Sequence, residues 1–138
     1  MNRCVEFDTL RQAAEEVRKN AYAPYSGFAV GAAVEGESGA IYRGCNVENA
    51  SFGLTICAER TAIAQAVTAG ESKLRRLLVV ADTKNPVAPC GACRQVMLEF
   101  GVEEVILCNM CGESRVFLMK ELLPQAFGPE NLKGAAGS

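Results

Sequence analysis

The chain has 138 residues, 49% hydrophobic and 22% charged, with 14 basic against 16 acidic side chains, a formal charge of −2 and no histidine. That length supports one core burying about two-thirds of the unfolded surface, and the composition excludes disordered and fibrous classes. With charges mixed along the chain there is no domain-wide positive field to hold a phosphate backbone, which argues against nucleic acid as a partner; Arg75 and Arg76 read as a solvated strand entrance.

The start, MNRCVEFDTLRQ, lacks an apolar run of secretory length, and LLVVA at 77–81 is far too short to span a bilayer, so a cytoplasmic protein with no membrane partner is expected. Seven cysteines are an odd number, and in a reducing compartment they read as metal ligands and buried thiols rather than disulfides. Cys4 and Cys45 are expected to be unpaired thiols.

In chain order, Phe7, Leu10, Ala14, Val17 and Ala21 recur at helical spacing, with Asp8 or Thr9 as cap and Pro24 closing the segment. FAVGAAVEG and GAIYRGCNV flank the turn-rich ESG and predict a hairpin, whose small GAA residues imply close packing by another element. Thr55 to Ala69 predicts a helix ended by a left-handed Gly70, and RRLLVVAD a buried strand. Pro89 opens and Gly101 closes a helix whose first turn carries Cys90 and Cys93. EEVILCN and SRVFLM are strands joined around Met110, Cys111 and Gly112, too short a link for a crossover, so they should be antiparallel. ELLPQAFGPENL predicts a helical turn and a proline-punctuated tail, with 133–138 frayed. The alternation of helices and strands defines one α/β domain over 1–138.

The cysteines allow two zinc sites. Cys90-x2-Cys93 with Cys108-x2-Cys111 is close to a closed four-thiolate ribbon, which would make a zinc-stapled protein without chemistry. Cys57 with Cys90 and Cys93 instead leaves a fourth position for water, as a catalytic zinc requires. Ribbon knuckles sit on turns, whereas Cys57 and Cys90 open helices, and only the second reading gives Glu59 a role as proton carrier two residues from a ligand. Three thiolates outweigh the charge of the ion. Two helix N-termini and the Arg60 guanidinium, one turn beyond Cys57, can draw that charge off and restore Lewis acidity.

At these residues the sequence resembles the zinc-dependent cytidine deaminases of the short, homo-oligomeric, free-nucleoside kind. YAPYSGFAVGAA (22–33), GCNVENASFG (44–53), CAERTA (57–62), PCGACRQ (89–95) and ELLPQAFGPENL (121–132) carry the resemblance across nearly the whole chain. It implies a three-layer α-β-α fold with a mixed five-stranded sheet, and hydrolytic deamination of cytidine and 2′-deoxycytidine in pyrimidine salvage. It further implies one Zn2+ per subunit on Cys57, Cys90 and Cys93, with Glu59 as general acid and base, as in zinc deaminases generally. Arg60 would hydrogen-bond the thiolates, Asn46 and Glu48 would hold the ribose, Phe28 would pack on the pyrimidine, and the Ala58 N–H would meet the base carbonyl. Phe127 would close the site of a neighbouring subunit in a homotetramer.

Within the wider family, nucleic-acid deaminases place a helix between the last strands and carry a basic strand-binding surface. Neither is expected here, so a free nucleoside is the expected substrate. A deaminase of the same fold acting on a blasticidin-type antibiotic is a second enzymatic reading, which NVEN and the ELLP-to-GPENL tail disfavour. Cys108 and Cys111 have no role in the resemblance.

Overall fold

The computed structural model describes residues 7–137, so Cys4 lies outside the described residues. The elements run α1 (Asp8–Arg18), β1 (Val30–Gly36), β2 (Ile41–Cys45), α2 (Ala58–Thr68), β3 (Leu74–Ala81), α3 (Gly91–Glu99), β4 (Glu104–Asn109), β5 (Ser114–Leu118), α4 (Met119–Leu122) and α5 (Pro129–Gly137). One sheet has the order β2-β1-β3-β4-β5. β3 and β4 are parallel, joined through α3, and the other neighbours are antiparallel, the last pair included. This is the expected mixed five-stranded sheet.

Successive side chains of the central strands point to opposite faces and build two cores. Leu77, Val79, Val105 and Leu107 pack with Ala62, Ile63, Cys93 and Met97 beneath α2 and α3. Leu78, Val80, Ile106 and Cys108 pack with Phe7, Leu10 and Ala14 at α1. The result is three layers. No helix among the described residues is long and apolar enough to cross a membrane.

Several boundaries differ from the sequence reading, among them the start of α2, at Ala58 rather than Thr55. α1 stops at Arg18, short of Ala21, and is preceded by Phe7 with no side-chain cap from Asp8 or Thr9. The helix cannot continue because the Tyr22 backbone is taken by Asn46 O (3.0 Å) and Glu48 N (2.8 Å), which hold it extended. Residue Phe28 lies before β1 rather than in it. Beyond 132 the backbone stays helical as far as Gly137, where a frayed tail was expected. The left-handed end of α2 falls at Gly70, φ 105°, as expected.

The small residues of β1 and β2 mark where helices press on the sheet. A Cβ on Gly31 would stand 2.0 Å from the Ala14 carbonyl oxygen, and one on Gly44 2.3 Å from the Ala62 nitrogen. Both obstacles are backbone, which cannot swing aside. Gly31→Ala is therefore expected to destabilise the protein by about 3 kcal/mol or more, the upper range for overpacking, read as a lower urea midpoint. An unchanged midpoint would show that α1 does not sit this close.

Candidate active site

Cys57 and Cys90 occupy equivalent places, each the extended residue at the N-terminus of a helix, α2 and α3 respectively. Neither helix has a side-chain cap, so the first-turn N–H groups and the positive dipole end of both face the same thiols. Cys93, in the first turn of α3, is fully buried beneath them. The Cys57 and Cys90 sulfurs are 4.0 Å apart, Cys90 and Cys93 3.4 Å, and all three lie within 4.8 Å of one another. Sulfurs at about 2.3 Å from a tetrahedral zinc stand about 3.8 Å apart, so this donor set fits the ion.

Charge around the cluster is arranged for thiolates. The Cys57 thiol is pushed down to about 5, first by the hydrogen bond from Cys93 and then by Arg60, whose guanidinium bonds to it. Cys93, the donor in that bond and buried, is pushed up instead. Arg60 also reaches the Thr55 carbonyl oxygen at 3.4 Å, while its buried Nε has no protein partner. A cation held against the Cys57 and Cys93 sulfurs is what a three-thiolate site needs to offset its excess negative charge.

Glu59 is 6% exposed, with its carboxyl pushed up to about 7, chiefly by burial and further by the Cys57 thiolate, against the lowering effects of its own N–H and Arg60. A carboxyl poised near neutrality can both accept and return a proton. It lines a cavity of about 250 Å3 together with Cys57, Ala58 and Cys90 and the apolar Phe28, Val30, Val79 and Val87. The cavity opens at the carboxyl end of β3, where open α/β sheets bind ligands. As the first residue of α2, Ala58 has an N–H with no partner inside the helix. A larger groove, about 790 Å3, runs between α3, α4 and the start of α5, but carries no thiol and no buried carboxylate; the chemistry lies in the smaller one.

The other residues singled out from sequence are placed less uniformly. Asn46 lines the cavity, 8% exposed, yet its side chain is already committed: Nδ2 donates to the Phe28 carbonyl (2.8 Å) and Oδ1 accepts from the Val30 N–H (2.9 Å). One amide hydrogen and one lone pair remain for a ligand. Glu48 is outside the cavity lining and accepts bonds from the Tyr25 N–H (3.0 Å), the Ser26 N–H (3.2 Å) and the Ser26 hydroxyl. Phe127 lies apart from the cavity of its own chain, 60% exposed. Thr55 and Val87 line the cavity without any sequence signal.

The four-thiolate ribbon is overturned by strand parity. Cys108 packs in the α1 core, whereas Cys93 packs in the α2–α3 core, so the sheet separates them. Cys111 lies on the turn after β4, and among the described residues the one cluster suited to a metal is Cys57, Cys90 and Cys93. Cys45 carries a free thiol, as expected.

Two helix N-termini offering three thiols, with a buried carboxyl beside an apolar cavity, define a zinc hydrolase site of the deaminase type. Residues 6–111 match the profile described as the "Cytidine and deoxycytidylate deaminase zinc-binding region", and the chain belongs to that family. It is 47% identical over 134 residues to a cytidine deaminase of Sporosarcina psychrophila, covering 96% of this chain and 98% of that one. With a cytidine deaminase of Halalkalibacterium halodurans it is 50% identical over 119 residues, 85% of this chain and 90% of the other. The crystal structure of a cytidine deaminase from Burkholderia pseudomallei superposes with a TM-score of 0.83 at 52% identity, covering 87% of this chain and 98% of that one.

Proposed function

We propose that the protein hydrolyses cytidine and 2′-deoxycytidine to the uridines with release of ammonia, serving pyrimidine salvage in the cytoplasm. The observation that carries this reading is Glu59, a buried carboxyl held near neutral pKa, beside a three-thiolate cluster and an apolar cavity sized for one small molecule. Cys57, Cys90 and Cys93 would hold one zinc per subunit, which when bound supplies the Lewis acidity that makes water nucleophilic near neutral pH. Glu59 takes a proton from that water and delivers it to ring nitrogen 3, making carbon 4 electrophilic. As the water oxygen bonds to carbon 4, Glu59 carries the second proton to the amino nitrogen, which leaves as ammonia. Phe28 packs on the ring, the Ala58 N–H meets the base carbonyl, and Asn46 with its spare hydrogen and lone pair holds a ribose hydroxyl alongside Glu48.

The cavity walls named above contain no lysine or arginine, which supports an uncharged nucleoside over a phosphorylated one or a nucleic acid strand. The exposed Phe127 supports the reading in which it closes a neighbouring copy's site in a homotetramer. Zinc-loaded protein, sized at four chains by light scattering, is expected to release ammonia from cytidine and leave cytosine in an oligonucleotide untouched. No release from cytidine sinks the activity, comparable oligonucleotide editing sinks the substrate choice, and a monomer sinks the assembly.

A further inference from the structure

One face of α3 holds the arm between α4 and α5. The Arg94 guanidinium donates from Nη1 to the Leu122 carbonyl, the last residue of α4, at 2.7 Å, and from Nε to the Pro89 carbonyl at 2.9 Å. Pro89 immediately precedes the candidate ligand Cys90, so one planar cation ties the thiol turn to the root of the arm. Gln95 donates from Nε2 to the Phe127 carbonyl at 2.6 Å. One turn on from Arg94, the Leu98 side chain lies 3.4 Å from where a Cβ on Gly128 would be, close enough to pack against that backbone. The far side is pinned as well, the Gly128 N–H donating to Asn131 Oδ1 at 2.8 Å.

The arm is thus fixed through its main chain, at 122, 127 and 128, while the Phe127 ring stays 60% exposed. It also contains the single non-glycine residue with positive φ among the described residues, Gln125 at 48°, a conformation held only where surrounding contacts impose it. A large aromatic projecting from so constrained a backbone is presented, not loosely tethered. We propose that Arg94 and Gln95 are positioning residues, setting the Phe127 arm against the Cys90 turn so that the ring is pre-organised for the site it closes. The inference rests on the reading that Phe127 completes a neighbouring copy's site.

The test is a kinetic double-mutant cycle on the zinc-loaded protein, with zinc content measured for every variant. Phe127→Ala should lower kcat/KM for cytidine by about tenfold or more. Arg94→Met and Gln95→Ala should each lower it about three- to tenfold, mainly by raising KM, with zinc unchanged. In the Phe127→Ala background each should cost less than about twofold, because the group it positions is gone. A purely structural role would instead multiply through. Full losses in that background, or loss of zinc in Arg94→Met, overturn the inference alone, as does full activity in both single variants. An undiminished Phe127→Ala protein overturns the reading beneath it and the inference together. Should Arg94→Met fail to fold, the surface residue Gln95 carries the same cycle.

Discussion

Glu59→Gln protein is expected to bind zinc as the parent does and to turn over cytidine at least about a thousandfold more slowly, within the range that positioned acid–base groups contribute. Glutamine keeps the shape and the burial but cannot take a proton from water or pass one to ring nitrogen 3. Glu59 is no part of the thiol cluster, so metal content should not change. Burial carries a second consequence. The folded carboxyl titrates at about 7 against an ordinary value of 4.5, so the folded chain keeps a proton that the unfolded chain releases. The stability of the metal-stripped parent relative to the Gln variant should therefore fall as pH rises from about 4.5 to 7 and level off above. At pH 8 stripped Glu59→Gln should be the more stable by about 3 kcal/mol, at 1.36 kcal/mol per tenfold change in proton affinity. Zinc titration, steady-state kinetics and urea unfolding separate the outcomes, and an active Gln variant ends the proposed role.

The parts of the site legible in the sequence were those set by local rules. A proline before Cys90 and a helix-forming run after Cys57 put both thiols at helix starts, and the structure makes each the residue that opens its helix. Their convergence on one ion was inferred from both thiols opening helices, and the helix N-termini with Arg60 then accounted for the charge of three thiolates. The antiparallel final pair followed from a link too short to cross over. The helix starts and the short β4–β5 link involve neighbours in sequence, where spacing alone carries the geometry.

What remained hidden depended on contacts across the fold. β4 is nearly all apolar and buried, so it shows no alternation from which to read that Leu107 faces one core and Cys108 the other. That parity is what excludes the ribbon. Asn46 reads as a ligand contact from its motif, yet two of its bonds clasp the backbone beside Phe28, so it shapes the cavity wall as well as lining it. The side chain of Asn109, fully buried, accepts from the N–H groups of Cys111 and Glu113 and donates to the Lys84 carbonyl, tying the β4–β5 turn to the loop that carries Val87. No periodicity marks such a residue. The end of α1 was missed for a similar reason, since the bridge that captures Tyr22 comes from residues 46–48.

The metal should follow the same division of the sheet. Cys57→Ser is expected to weaken zinc binding by at least about a hundredfold and abolish deamination, since loss of even an outer-shell partner costs about 10–100-fold and a direct ligand costs more. Cys108→Ser should keep its zinc and its activity, because that sulfur sits in the α1 core with the sheet between it and Cys93. Its cost falls on the fold, about 1–3 kcal/mol for placing a hydroxyl among Phe7, Leu10 and Ile106, read as a lower urea midpoint. Stability and metal content thus move in separate variants. A fold that needed the ion as a staple would link them, with Cys108→Ser losing zinc and unfolding together and Cys57→Ser retaining both. Zinc measured after dialysis against a chelator, beside ammonia release from cytidine, decides whether the three thiols hold a working ion or a structural one.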